Sequence, residues 1–320
     1  MWDGIPWFVE GTATSEETLR LVVAAASGGG EGIVAPADLV VSALEVPGPA
    51  VQVGTGAMIA SRPGSGAGGQ AYAARLPTVD LVDIEPTTAD GPRSDLIIVR
   101  IEDPYGGETW PLPEDPSVGP YVHTRVISDV PPGTTSIQDV DASSTAVTLA
   151  RVDVPASTSV ITQGMVSDLR RLARPRSQTV RHYLHSAWAT PDDLGPISDA
   201  WEDFPLGARW QEAVPAWATH VTVHAHLTGV LHPDATEAAV RLRVSVGEQF
   251  GGGFPLASQH AGRHAAFTGG TFALTPAERG TALPVAVQGI GTEGKTGVLR
   301  ADDATVLAVE ITYHQAPVTA

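Results

Sequence analysis

The chain has 320 residues, long enough for two ordinary domains. Its hydrophobic share of 42% can build cores, and its charged share of 17% argues against a disordered polyelectrolyte. A formal net charge of −17 argues against nucleic acid and against anionic membrane surfaces, both of which need clustered Lys and Arg.

With no cysteine, disulfides, thiolate zinc sites and cysteine nucleophiles are ruled out. The 34 glycines and 26 prolines predict short strands joined by many turns. No segment reaches the roughly 20 apolar residues of a membrane span. Met1-Trp2-Asp3-Gly4 lacks the basic and apolar regions of a secretory signal, so no membrane insertion is expected.

Residues 2–10 are aromatic and turn-rich. Thr14 or Ser15 then caps a short helix running to about Ala26, with Leu19, Leu21, Val22 and Val23 on its apolar side. Gly28-Gly29-Gly30 stops it. Residues 37–46 lean to strand, with a short helix as the alternative. Residues 50–60 read as a strand interrupted by glycine, and 62–69 as a loop. Residues 81–84 are expected to pair with the strand that follows, through a turn near Asp90-Gly91.

That following strand, within residues 91–104 (G-P-R-S-D-L-I-I-V-R-I-E-D-P), organises the first half. Leu96, Ile97, Ile98 and Val99 form an unbroken aliphatic run, which suits a strand covered on both faces. Pro92 and Pro104 lie outside it, where a strand tolerates proline. Arg93 and Asp95 share a parity and stand at its entrance, where charges are costly unless paired. The expected partners lie in Ser167-Asp168-Leu169-Arg170: Asp95 with Arg170 or Arg171, and Arg93 with Asp168.

Residues 103–119 form a proline-punctuated loop, 122–130 return as extended chain, and 131–133 turn. Residues 145–154 are a strand ended by Pro155, and 160–171 close this half. Arg174-Pro175-Arg176-Ser177 marks a boundary.

The second half alternates cleanly. Val221, Val223, Ala225 and Leu227 oppose His220, Thr222, His224 and His226. Val240, Leu242, Val244 and Val246 oppose Arg241, Arg243 and Ser245; Leu307, Val309, Ile311 and Tyr313 oppose Ala308, Glu310, Thr312 and His314. Residues 272–274 and 283–287 add further strands. The expected fold class is mainly β: a mixed, β-rich domain over residues 1–175, then an antiparallel jelly-roll-like β-sandwich over residues 176–320.

Residues 289–296, G-I-G-T-E-G-K-T, match the phosphate-binding loop pattern, and Val306 to Glu310 resembles the strand that ends in a magnesium-binding carboxylate. That chemistry needs a following helix N-terminus in a parallel α/β sheet. An alternating strand follows instead, so the match reads as a hairpin loop, and no nucleotide is expected at Lys295. His224-Ala225-His226 puts two imidazoles on one strand face, a metal pair only if a three-fold axis ran beside it; no metal and no cofactor are expected.

Trp188, Trp201, Phe204, Trp210 and Trp217 serve packing first, with sugar stacking as the alternative. The carboxylates Asp192, Asp193, Asp199, Glu202, Asp203, Asp302 and Asp303 show no catalytic spacing and read as an acidic surface. No catalytic residue is assigned, and the chain is not expected to be an enzyme.

Three motifs occur in order: R-S-D-L-I-I-V-R-I-E-D-P at 93–104, T-L-A-R-V-D-V-P-A at 148–156 and I-T-Q-G-M-V-S-D-L-R at 161–170. Together they resemble minor tail proteins, of the baseplate or tail tip, from long-tailed bacteriophages that infect actinobacteria. The resemblance covers the first half of the chain. It implies a structural virion protein of the tail, oligomeric and by analogy homotrimeric, with other tail or baseplate proteins and host cell-surface polysaccharide as partners. Host contact is expected on sandwich loops, at Gln249, Phe250 and Phe254 and at Gln259, His260 and His264. The alternatives are a tail-borne glycan hydrolase and a carbohydrate-binding module unrelated to phage.

Overall fold

The computed structural model describes residues 15–64, 69–105, 110–185, 192–195, 200–234, 236–292 and 295–318. The chain is 48% strand and 6% helix, which makes it mainly β. It divides into two compact units, Met1–Pro175 with Ala316–Ala320, and Arg176–Gln315. The second unit therefore ends at Gln315, not at the C-terminus. Val318 belongs to the first unit because its N–H donates to the Pro36 carbonyl at 3.0 Å.

The first unit opens with α1 (Glu16–Ser27). Ser15 caps it by accepting from the Thr18 N–H; Thr14, the other expected cap, lies outside the described residues. At its end Gly28 turns left-handed at φ 65°. Gly28 N–H donates to the Ala25 carbonyl and Gly29 N–H to Ala24, a Schellman closure that only glycine enters without strain.

Among the described residues ten strands follow: β1 (Gly32–Ile33), β2 (Val41–Ala43), β3 (Ala50–Val53), β4 (Gly56–Ser61), β5 (Ala71–Leu76), β6 (Asp80–Asp83), β7 (Arg93–Ile101), β8 (Val122–Ile127), β9 (Ala146–Val154) and β10 (Val166–Asp168). They form three antiparallel sheets, ordered β1-β4-β5, β2-β3-β6 and β10-β9-β7-β8. The glycine-interrupted stretch is two strands, β3 and β4. Gly56, the first residue of β4, has φ 158°, and a Cβ there would lie 2.6 Å from the Asp38 Cβ.

β7 is covered on both faces, as its sequence predicts. Leu96 and Ile98 enter one cluster with Val130, Ile137 and Ala146. Ile97, Val99 and Ile101 enter another with Val51, Val53, Leu149 and Val152. The expected pairing of 81–84 with this strand does not form: β6 pairs with β3, Val51 opposite Val82. The reason is steric. A strand has two edges, and those of β7 are taken by β8 and β9.

In the second unit the long strands are β11 (Ser177–His185), β14 (Arg209–Ala213), β15 (His220–His232), β16 (Ala238–Val246), β18 (Phe254–Ser258), β19 (Gly262–Ala273), β20 (Ala282–Gly291) and β22 (Val306–His314). Shorter pieces extend them: β12 (Asp192–Leu194), β13 (Glu202–Asp203), β17 (Gln249–Phe250) and β21 (Leu299–Ala301).

One sheet runs β11-β22-β15-β19 and the other β14-β20-β16-β18. Counting the long strands in chain order, that is 1-8-3-6 against 2-7-4-5, the connectivity of a jelly roll. Its core is the predicted set: Val221, Val223, Ala225 and Leu227 of β15 meet Val240, Leu242 and Val244 of β16, with Leu307, Val309 and Ile311 of β22.

Candidate functional site

Two residues apart on a strand, side chains share a face roughly 6–7 Å apart, within an arginine's reach. The first unit uses this spacing repeatedly. Arg93 donates from Nε to Asp95 Oδ1 at 2.8 Å and from Nη2 to Oδ2 at 2.8 Å. Arg170 does the same to Asp168, at 2.9 and 2.7 Å.

The expected cross-pairs, Asp95 with Arg170 or Arg171 and Arg93 with Asp168, therefore do not form: each charge is answered on its own segment. Arg100 pairs likewise with Glu102, and Arg151 with Asp153. An arginine and a carboxylate two residues apart, in either order, was the available signal for these pairs. Burial opposes ionisation of Glu102, but hydrogen bonds from Arg125 and Arg100 outweigh it and hold the carboxyl below its usual range. These pairs are structural: they pin β7, β9 and β10.

The surface with chemistry to offer a partner is the outer face of the sheet β11-β22-β15-β19. Its register builds rows across four strands. Tyr183, Ala308, His226 and Phe267 form one; Arg181, Glu310, His224 and Gly269 the next; Thr179, Thr312, Thr222 and Thr271 a third. Tyr183 is 67% exposed and Phe267 47%. His226 and His224 lie 5.0 and 5.8 Å from the Phe267 ring. Gly269 leaves room for this, since a Cβ would lie 3.0 Å from the His224 ring. In these three rows the only carboxylate, Glu310, is paired with Arg181 at 2.8 Å.

The six expected contact residues fall in three places. Phe254, 41% exposed, meets Phe267 edge-on at 6.3 Å and so extends the aromatic patch. Gln249 donates to the Ala273 carbonyl at 2.9 Å, and the 55%-exposed Phe250 ring lies 4.0 Å from the Arg243 guanidinium, which also meets Trp201 at 4.1 Å. Gln259 and His260 are exposed on the β18–β19 turn, where the His260 carbonyl accepts from buried His232 at 2.8 Å. His264 is half-buried beside that histidine, rings 6.2 Å apart. Tyr183, Arg243 and Phe267 were not legible as contact residues, because only cross-strand register brings them to the others, whereas Trp201 was legible as a sugar-stacking alternative to packing.

The remaining motifs resolve simply. Gly289, Ile290 and Gly291 of the phosphate-loop match lie inside antiparallel β20, and Lys295 pairs with Glu237 at 2.7 Å; Glu293 and Gly294 lie outside the described residues. Arginines hold Asp193, Asp203 and Asp302, while burial and the neighbouring Asp193 raise the Asp192 carboxyl although it accepts from the Leu206 N–H. Phe204 is core, Trp217 packs against the core, and Trp210 stacks on His182 at 5.0 Å; Trp188 and Asp199 lie outside the described residues. Among the described residues no group of three or more His, Asp or Glu side chains is placed to hold a metal ion, and no helix is long and apolar enough to cross a membrane.

No family model matches the chain, and no curated protein matches it. Solved structures that share part of the path include infectious bursal disease virus, Gt strain, at 12% identity over 91% of this chain and 76% of that one, with a TM-score of 0.25. The VP2 subviral particle of the same virus matches at 11% identity, over 91% and 72%, with a TM-score of 0.25. The insecticidal delta-endotoxin Cry8Ea1 of Bacillus thuringiensis matches at 9%, over 90% and 51%, with a TM-score of 0.20. Likenesses this loose carry no argument about fold or function.

Proposed function

We propose that this chain is a structural and attachment protein of a virion, seated in the tail tip or baseplate of a long-tailed phage of actinobacteria. In this reading it is a homotrimer that performs no catalysis and needs no cofactor. The first unit docks on other tail or baseplate proteins, and the jelly roll meets host cell-surface polysaccharide. The sequence resemblance supports the virion setting and the three-fold symmetry.

The observation that carries attachment is the patch of Tyr183, His226, Phe267 and Phe254 on the sheet face. Exposed rings on a rigid sheet give sugars a stacking platform at low ordering cost. Histidine donors and acceptors at its rim supply hydrogen bonds to hydroxyls.

Immunogold labelling of intact particles tests the virion setting: gold confined to the tail end supports it, and unlabelled particles refute it. Light scattering on the full chain tests the trimer. Incubation with actinobacterial cell-wall polysaccharide separates the roles. Binding without reducing-end release supports attachment, whereas release makes the chain a glycan hydrolase.

A further inference from the structure

We propose that the first unit accepts an extended peptide segment of a partner protein as an added β-strand between β5 and β8. The proposal goes beyond the tail reading and stands without it.

Both strands are sheet edges. Among the described residues β5 pairs with β4 alone and β8 with β7 alone. The direction of their free backbone groups follows from parity. The Arg62 N–H donates to the Gln70 carbonyl, continuing the β4–β5 ladder, in which bonded and non-bonded pairs alternate. Ala71, Ala73 and Arg75 therefore turn their N–H and C=O groups away from β4. The Glu102 N–H donates to the Tyr121 carbonyl in the same way, so Val122, Thr124 and Val126 turn theirs away from β7. None of these six residues has a backbone hydrogen bond on that side among the described residues.

A cleft separates the two edges. Two cavities lie along them: one of about 800 Å³, lined by Ala71 to Ala73, Tyr121 and Val122 among others, and one of about 110 Å³, lined by Ala74 to Leu76, Val122 and Thr124 among others. The two edges thus run in the same direction, and one strand can lie antiparallel to both. Its residues would alternate their bonds left and right. Unpaired edges are a liability unless covered, and a strand is what covers them on both sides at once.

The lining specifies the side chains. Tyr72, Leu19 and Val23 present an apolar wall in the larger cavity. Tyr72 donates to Asp103 at 2.8 Å, which fixes its ring, and its hydroxyl is pushed up to about 12 by burial and that carboxylate, so it stays a donor. The Arg20 guanidinium lies 5.4 Å from the Tyr72 ring and donates from Nε to Gln70 Oε1 at 2.7 Å; it is the cation of this lining, beside Glu16 and Asp103. The segment that fits carries an aromatic or large aliphatic side chain for the wall and a carboxylate for Arg20. A sugar would use the tyrosines but leave the two rows of backbone groups unanswered.

The test uses the full chain. Nonapeptides are selected on it from a random display library, and the consensus peptide is titrated and followed by hydrogen exchange. The expected consensus alternates apolar residues with one carboxylate, and its binding slows exchange at residues 71, 73, 75, 122, 124 and 126. Ala73→Pro removes one outward N–H from an edge strand, where proline is tolerated. It should weaken the peptide at least about tenfold without moving the melting temperature. Thr124→Pro serves the same purpose if that variant fails to fold. Arg20→Glu should switch the selected charge from acidic to basic. The proposal is overturned if no peptide enriches, if protection falls elsewhere, or if both proline variants fold and bind like wild type. Soluble cell-wall polysaccharide that displaces the peptide and perturbs Tyr72 would make the cleft a sugar site instead.

Discussion

Arg93 grips Asp95, its neighbour two residues along the same strand, through two parallel hydrogen bonds of 2.8 Å. Asp95 has no solvent exposure, and its Oδ1 also accepts from the Asp129 N–H at 3.0 Å. The carboxylate therefore ties the start of β7 to the chain after β8. Asp95→Ala leaves the Arg93 Nε–H and the Asp129 N–H without their acceptor, while Arg93 Nη2 keeps only the Glu85 carbonyl at 2.6 Å. It should cost about 3–5 kcal/mol in urea unfolding of the first unit. A midpoint within error of wild type would show that the pair contributes nothing.

Arg170 is fully buried and gathers Asp168, the Asp38 carbonyl and the Val318 carbonyl, at 2.7, 2.6 and 2.8 Å. Truncation after Gln315 removes the Val318 carbonyl and the bond from its N–H to Pro36. The first unit should lose about 1–3 kcal/mol. The second should melt unchanged, because Gln315 closes it through the Arg176 carbonyl. Calorimetry resolves the two transitions, and a shift in the second alone would reverse the assignment of this tail.

Gly229 sits at the bulge of β15, with φ 75°, and a Cβ there would lie 2.2 Å from the Ala304 carbonyl oxygen. Both the backbone angle and the contact exclude a side chain. Gly229→Ala should destabilise the jelly roll by at least about 2 kcal/mol. Gly252→Ala, where a Cβ would meet nothing within 4 Å, is the control.

Burial, then the neighbouring His220 with its ring 6.0 Å away, holds the His314 pKa below its usual 6.5. Below pH 6.5 the unfolded chain thus binds more protons at this site than the native one. The stability it contributes is complete above 6.5 and falls away as pH drops to the folded pKa. The melting temperature of the second unit should decline over that window, and less steeply in His314→Asn. Parallel slopes would rule the site out.

Phe267→Ser and Tyr183→Ser remove exposed rings from a sheet face, so folding should change little. If that face is the attachment surface, retention of the chain on cell-wall polysaccharide should drop at least about tenfold for the pair. Phe250→Ser, at the separate Arg243 site, should have a smaller effect. Equal retention by all three would move attachment elsewhere.

The sequence by itself determined the local elements. Period-two alternation marked β15, β16 and β22 with their inward faces, the aliphatic run marked β7 as covered twice, and Ser15 with Gly28 bounded α1. These depend on neighbours in the chain, and neighbours are what a sequence displays. Tertiary structure alone decided the partners. β6 went to β3 because both edges of β7 were filled, and Phe254 met Phe267 because β18 and β19 edge two different sheets. The cleft between β5 and β8 exists because neither strand pairs with the other. Pairing is a competition among distant segments for a limited number of edges, settled by how much apolar surface each arrangement buries. The ion pairs stand between the two cases. Their i, i+2 spacing was written in the chain, but only the strand geometry made Arg93 answer Asp95 in preference to Asp168.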